Sequence, residues 1–119
     1  MIYTADELAR LASGIVIGET RRAHAVTQNQ MAELRDVSQT KVCRLEQGAH
    51  DETVHEVLEI ARHLGIEPRP FFDRVMAARR LTRTLDPQQF RDLARDVVRD
   101  RIHRLLSVEG ITHTVWSDK

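Results

Sequence analysis

The sequence predicts an all-α protein, and three observations support that prediction. Only five glycines and three prolines occur among the 119 residues, which leaves little room for β-turns or long loops. Good helix formers dominate the remainder. Apolar residues recur at helical rather than alternating spacing, as in Leu8, Leu11 and Ile15. The hydrophobic content of 41% is sufficient for a core, and the length fits one domain with a helical extension.

A capping signal marks the first helix, and apolar spacing indicates the second. Thr4 and Glu7 have the spacing of a capping box, in which the hydroxyl accepts from a free backbone amide and the carboxylate reaches back. The helical pattern continues towards Ala25, weakened by two glycines within it. A second helix is expected after Thr27, with Met31 as an apolar position.

The third and fourth helices are also marked at both ends. A short third helix fits residues 39–47, with Ser38 as its cap and Gly48 as its left-handed stop. A second capping box, Thr53-x-x-Glu56, begins a fourth helix, and its apolar stripe ends at Gly65. We therefore expect four helices before the first proline.

Two further helices complete the prediction. Pro68 and Pro70 precede a fifth helix, which is expected to run to about residue 81. Asp86 and Pro87 form a strong start signal, because the carboxylate caps the helix and the missing proline amide costs nothing there. Apolar positions then recur as far as Val108, which predicts one helix roughly 34 Å long at 1.5 Å per residue. The chain thus divides into residues 1–82 and a helical segment, 83–119.

Composition narrows the class of protein. Lys+Arg and Asp+Glu both number 18, and this neutral balance argues against a polybasic tail or an acidic disordered chain, although a basic patch can still be local. The single cysteine, Cys43, cannot form an intrachain disulfide, so a reducing cytoplasm is the expected location. No signal peptide is visible, and apolar runs such as residues 15–17 are far shorter than the ~20 residues of a membrane span.

The sequence offers little for catalysis or metal binding. It shows no nucleophile–base pattern and no phosphate-binding loop. None of the six histidines forms a His-x-x-x-His pair, and no second cysteine accompanies Cys43. We therefore expect no enzyme, no metal and no cofactor. A redox role for Cys43 is a further hypothesis, but a small side chain without special chemistry is the preferred interpretation.

Residues 26–48 have the pattern of a helix-turn-helix. Ala32 is small where two helices cross, Val37 fills the turn, and Val42 and Leu45 anchor the second helix. The side chains left on the outer face are Gln39, Thr40, Cys43, Arg44 and Gln47. Such a helix fits the major groove of DNA, where glutamine and arginine read adenine and guanine edges through paired hydrogen bonds.

This stretch resembles the lambda-repressor/Cro-like (XRE-type) helix-turn-helix family. The similarity runs without a gap from about residue 17 to residue 72. Its motifs are Thr27-Gln28, Met31-Ala32, Val37-Ser38-Gln39, Arg44-Leu45-Glu46-x-Gly48 and Val57-Leu58-x-Ile60-Ala61-x-x-Leu64-Gly65-Ile66. The resemblance implies a five-helix DNA-binding domain, which the long C-terminal helix would extend.

The resemblance also implies roles for individual side chains. Base edges would be contacted by Gln39, Thr40 and Arg44. Phosphates would be contacted by Gln28, Lys41 and Gln47. Arg21 and Glu46 match an ion pair that links the first helix to the end of the third.

The sequence departs from the family pattern at a few positions. Asp36 replaces the usual turn glycine, which is tolerable because aspartate can adopt a left-handed conformation. Arg35 stands where an inward leucine is usual and Leu34 where an exposed residue is usual, so the second helix is expected to end early or rotate. Asp51 and Glu52 lie in a loop that is often basic, where they would repel phosphate.

Two regions outside the motif have open interpretations. The segment 69–83 carries five arginines against one aspartate and either extends the DNA footprint, binds an acidic surface or forms a solvated helix face. The apolar stripe of the last helix is predicted to form a homodimer interface, because two half-sites require two-fold symmetry. Its residues are Phe90, Leu93, Val97, Val98, Ile102 and Leu105. The alternative is packing on its own domain.

These observations favour a cytoplasmic, homodimeric, sequence-specific regulator of transcription that acts as a repressor on double-stranded DNA. One alternative is an antitoxin-type autoregulator that also binds a toxin protein through its C-terminal region. Another is a protein-interaction module that has lost DNA binding, whose mark would be the lack of any salt-dependent DNA affinity.

Overall fold

A computed structural model describes residues 2–112, and all regular secondary structure in this range is helical, with no strand. The predicted all-α class is confirmed. The helices are α1 (Ala5–Ala23), α2 (Gln28–Arg35), α3 (Gln39–Glu46), α4 (Val54–Leu64), α5 (Pro68–Thr82) and α6 (Arg95–Val108), with a 3-10 turn over Pro87–Phe90. Residues 113–119 of the predicted C-terminal segment lie outside the described residues.

The expected capping signals begin the helices. Thr4 and Thr53 each accept a hydrogen bond from the glutamate amide three residues on, and that glutamate's carboxylate accepts from the threonine amide. Thr27 forms the same arrangement with Gln30 at the start of α2, and the Ser38 hydroxyl accepts from the Lys41 amide at the start of α3. Local side chains therefore set where these four helices begin.

Helix α1 lies at the centre of the core. All residues from Leu11 to Gly18 are buried, because α3, α5 and α6 all pack against this helix. Helix α4 packs against both α2 and α5. One hydrophobic cluster extends through the described chain from Tyr3 to Leu106, so the described part of residues 83–119 shares its core with residues 1–82.

The prediction of one continuous helix from Asp86 to Val108 is wrong. A 3-10 turn ends at Phe90, and Asp92 has a φ of 62°, a left-handed conformation that no α-helix accommodates. The hydroxyl of Tyr3 donates to the carbonyl oxygen of Leu93 at 3.0 Å, and α6 begins only at Arg95. The chain turns here because α6 packs alongside α1 instead of extending away from the core.

This turn changes the surroundings of the residues predicted to form a dimer interface. Phe90, Val98 and Ile102 are buried in the core of their own chain, and Leu93 is partly buried against it. For these side chains the structure shows the alternative, packing on their own domain. Leu105 is half-buried, and Val97 is 39% exposed.

The described chain offers no membrane span and no metal cluster. Within residues 2–112, no helix combines the length and the apolar character that crossing a bilayer requires. No three histidine, cysteine, aspartate or glutamate side chains in the same range stand close enough together to hold a metal ion.

Candidate nucleic-acid interface

The turn between α2 and α3 is closed by Asp36. Its φ of 57° and ψ of 48° place it in the left-handed region, so the left-handed conformation expected for this aspartate is confirmed. The amide of the next residue, Val37, donates to the Ala32 carbonyl at 3.0 Å, so a carbonyl at the end of α2 is satisfied. The turn is therefore short and hydrogen-bonded, as a helix-turn-helix requires.

Arg35 fastens the end of α2 to α4. Its guanidinium is almost fully buried and pairs with Glu56 at 3.4 Å and with Glu59 at 3.3 Å. Leu34 is 48% exposed while Arg35 is buried, as the sequence indicated for these two positions. Helix α2 ends at Arg35. A buried cation is tolerated here because carboxylates of α4 compensate its charge.

Helix α3 presents a polar face to solvent. Val42 and Leu45 are buried, which fixes the inward side of the helix. The exposed side chains of the helix and its C-terminal cap are Gln39, Thr40, Lys41, Arg44 and Gln47, and Cys43 is half-buried. All three residues predicted to read bases therefore lie on the exposed surface of one helix.

The C-terminal end of α3 is fixed by a buried ion pair. Arg21 Nε lies 2.6 Å from Glu46 Oε2, and Arg21 Nη2 lies 3.0 Å from Glu46 Oε1. A third donor of the same guanidinium, Nη1, donates to the carbonyl oxygen of Val26 at 2.7 Å. The predicted pair between Arg21 and Glu46 is thus present, and it connects α1, the loop before α2 and α3.

Gly14 allows α1 and α3 to touch backbone to backbone. A Cβ atom at this position would lie 2.3 Å from the carbonyl oxygen of Glu46. The sequence predicts that this glycine weakens the helix, yet α1 is continuous through it. Gly48, with a φ of 74°, ends the segment, and its carbonyl accepts from Arg10 Nε at 3.2 Å.

Gln28 connects the buried ion pair to the exposed face. Its Nε2 donates to Glu46 Oε1 at 3.1 Å, and its Oε1 accepts from Gln39 Nε2 at 3.4 Å. Sequence reasoning assigned Gln28 to phosphate and missed its contact with Gln39. The available signal was position, because each glutamine is the first residue of its helix. The contact orients a side chain predicted to read bases.

A polar groove borders one side of α3. It measures about 370 Å³ and is lined by Ser38, Thr40, Lys41, Arg44 and His50. His50 is partly buried, and its Nδ1 lies 3.0 Å from the carbonyl oxygen of Asp51. No motif identified His50 in the sequence, since only the folded loop brings it beside Arg44.

The acidic loop after α3 is neutralised from within the chain. Arg79 Nη1 of α5 lies 3.0 Å from Asp51 Oδ1, 3.1 Å from Glu52 Oε1 and 3.2 Å from the Ser13 hydroxyl. Burial raises the pKa of Glu52 above 4.5, while its backbone hydrogen bond and the Arg79 charge act in the opposite direction. Arg79 therefore compensates part of the negative charge of this loop.

The basic segment 69–83 does not form one surface. Arg79 is only 18% exposed at its side chain and serves the acidic loop. Arg69 pairs with Asp73 at 3.5 Å on the solvent-exposed side of α5. The segment's excess charge is thus partly compensated inside the fold.

We compared the chain with protein families, curated proteins and solved structures. No family model, curated protein or solved structure matches the chain.

Proposed function

We propose that this chain is a sequence-specific DNA-binding protein of the lambda-repressor-like type, which regulates transcription by inserting α3 into the major groove. The observation that carries the proposal is the setting of α3. A buried ion pair fixes its end, and its outward face presents Gln39, Thr40 and Arg44 to solvent. A rigidly held helix with an exposed polar face is suited to read base edges.

The exposed side chains have complementary roles. Arg44 supplies the forked donors that match guanine O6 and N7, and Gln39 supplies the donor and acceptor that match adenine N6 and N7. Thr40 lies one residue from Gln39 on the same exposed surface. Lys41, Gln47 and Gln28 are the proposed backbone contacts, because phosphate contacts set register without carrying sequence information.

The network through Gln28 supports reading by Gln39. A free glutamine side chain samples many rotamers and loses that freedom on binding. In this protein Gln39 is hydrogen-bonded to Gln28, and Gln28 is hydrogen-bonded to the buried Glu46. The network therefore lowers the entropic cost of placing Gln39 against a base.

A homodimer is part of the proposal, because two half-sites are read by two copies related by a two-fold axis. The inward side of α6 is occupied within its own chain. The apolar α6 side chains that keep exposed surface are Val97, half-buried Leu105 and Val108, the last 81% exposed. We expect sedimentation to show a dimer, and Val108→Asp to weaken it if this side of α6 forms the contact.

The direct test of the proposed function is selection of bound DNA from a random pool by the full chain. The expected product is a pseudo-palindrome whose half-sites lie about 34–36 Å apart, one helical turn of DNA. A recovered pool with no enriched sequence would overturn sequence-specific binding. An enriched site without symmetry would retain the reading helix and contradict the dimer.

A further inference from the structure

Arginine side chains line one flank of α6. Val98, Ile102 and Leu106 are buried at four-residue intervals, which fixes the inward side of the helix. Arg95 and Arg99, also four residues apart, therefore share one flank of the buried stripe. His103 continues this row and contacts the Glu19 carboxylate of α1, so the flank is held towards the body of the protein.

This flank meets the C-terminal end of α3. Arg95 Nη2 donates to the carbonyl oxygen of Gln47 at 3.2 Å. A groove of about 260 Å³ opens between the two helices, lined by Leu11, Gln47, Arg95, Asp96 and Arg99. Because a guanidinium carries five N–H donors, Arg95 keeps others for a ligand while it binds Gln47.

Arg99 lies near two other arginine side chains, Arg22 and Arg95. Burial lowers the pKa of the Arg99 guanidinium, and the nearby Arg22 of α1 and Arg95 lower it further, while Glu46 acts in the opposite direction. The opposing Glu46 already neutralises Arg21. The other carboxylate at this groove, Asp96, accepts from the Val97 amide at 3.0 Å. An incoming anion would relieve repulsion among these three arginines.

The arginines stand on the side of α3 opposite to the polar groove already described. Successive residues of an α-helix are rotated by about 100°, so Cys43 and Arg44 face different flanks of α3. Cys43 lies near Arg99. Arg44 and Lys41 line the other groove. Basic side chains therefore border α3 on both sides.

A helix in the major groove has a phosphate strand on each side, across a groove about 12 Å wide. We propose that Arg95 and Arg99 of α6, assisted by Arg22, bind the DNA backbone on the flank of α3 opposite to Lys41 and Arg44. In this arrangement α6 makes the reading unit wider than the helix-turn-helix alone. The inference rests on the proposed function, since it concerns how the same surface holds DNA.

The test compares two double variants of the full chain on the duplex recovered by selection. Arg95→Ala with Arg99→Ala removes the proposed contacts. Arg62→Ala with Arg91→Ala removes the same charge from exposed positions outside α3 and α6. Affinity is measured between 50 and 200 mM salt. Because each neutralised phosphate contributes ~0.9 to the slope of log K against log salt, the first pair should lower that slope by about 1.8 for each bound protomer, or about 3.6 for the proposed dimer.

The first pair should also weaken binding on the order of tenfold to a hundredfold at low salt, with the selected sequence unchanged. The control pair should leave the slope as in the unsubstituted chain. Phosphate ethylation interference should disappear on one flank in the Arg95/Arg99 variant and on the other in Lys41→Ala. A paired Arg95→Lys and Arg99→Lys variant should restore most of the slope, which separates charge from folding.

Several outcomes would overturn the inference. An unchanged slope in the Arg95/Arg99 variant, or an equal loss in the Arg62/Arg91 control, would show that this flank holds no phosphate. If the unsubstituted chain selects no sequence from the pool, the proposed function fails, and the inference fails with it. Arg44→Ala distinguishes the two cases, because it changes the selected bases only if α3 reads them.

Discussion

Arg21 and Glu46 form a bidentate ion pair that is buried on both sides, with side chains 7% and 4% exposed. The pair joins α1 to the last residue of α3, and Gln28 extends it with a third hydrogen bond. Buried charges are stable only when paired and hydrogen-bonded. The orientation of α3 therefore depends on Arg21 and Glu46, which do not reach the exposed face themselves.

Replacing Arg21 should destabilise the fold strongly. Arg21→Met keeps the apolar stem but leaves the Glu46 carboxylate buried without its cation, which costs about 3–5 kcal/mol. Urea unfolding measures the loss. The matched control is Asp73→Ala, which breaks the exposed pair with Arg69 and should cost about 0–1 kcal/mol. Equal losses in the two variants would contradict a structural role for the buried pair.

Gly14 should not tolerate a methyl group. Gly14→Ala places a Cβ 2.3 Å from the Glu46 carbonyl oxygen, so α1 and α3 must separate. Overpacking of this kind costs about 1–3 kcal/mol, which outweighs the gain in helix propensity of roughly 1 kcal/mol. At Gly18 the nearest atom is a side-chain oxygen at 3.1 Å, so Gly18→Ala is the control with the smaller loss. Thermal unfolding of both variants ranks them, and the reverse order would refute close backbone contact at Gly14.

Much of the arrangement of α1 to α4 could be predicted from the sequence, because local interactions determine where these helices begin and end. Thr4, Ser38 and Thr53 act on amides within three residues, and Asp36 adopts its left-handed conformation through its own backbone. Short-range rules apply to such positions in any fold. The exposed face of α3 follows from helical periodicity, which is local for the same reason.

The remaining features depend on contacts between distant residues. Tyr3 and Leu93 are 90 residues apart, and the apolar period around Leu93 gives no sign that the helix stops there. Arg79 reaches the loop of Asp51 and Glu52 across 28 and 27 residues. Tertiary packing determines the helix end near Leu93 and the contact of Arg79. A single sequence shows the apolar periodicity of a helix but not where packing ends it.

Arg44→Ala should change which DNA is bound. Loss of a bidentate contact to guanine costs about 1–3 kcal/mol on the selected site and relaxes one base position in each half-site. Lys41→Ala serves as the comparison, because loss of a phosphate contact weakens all sequences alike and reduces the salt slope by ~0.9 for each bound protomer. Repeating the selection with both variants separates the two effects. If Arg44→Ala recovers the unsubstituted site with unchanged affinity, Arg44 does not read a base.

Glu52 should make stability depend on pH. Since burial raises its pKa in the folded chain above 4.5, the folded state binds the proton more tightly than the unfolded state does. This contribution is fully present below pH 4.5 and is lost as the pH rises through the raised pKa. Glu52→Gln removes the titration, so its stability relative to the unsubstituted chain should increase from pH 4.5 upward.

Urea midpoints of the two proteins at several pH values between about 4 and 8 measure this difference. Asp51→Asn is the control, because the Asp51 side chain is 62% exposed and also pairs with Arg79. A difference between Glu52→Gln and the unsubstituted chain that stays constant across this range would contradict the raised pKa of Glu52.

Ile102 should behave as a core residue of a single chain. Ile102→Ala leaves a cavity where α6 packs on the shared core and should cost about 2–5 kcal/mol. Val54→Ala, at the exposed start of α4, should stay within about 0.5 kcal/mol. Urea unfolding at two protein concentrations far apart separates core packing from assembly. If the loss for Ile102→Ala itself varied with concentration, Ile102 would belong to an interface between copies, because only a dimer's stability depends on protomer concentration.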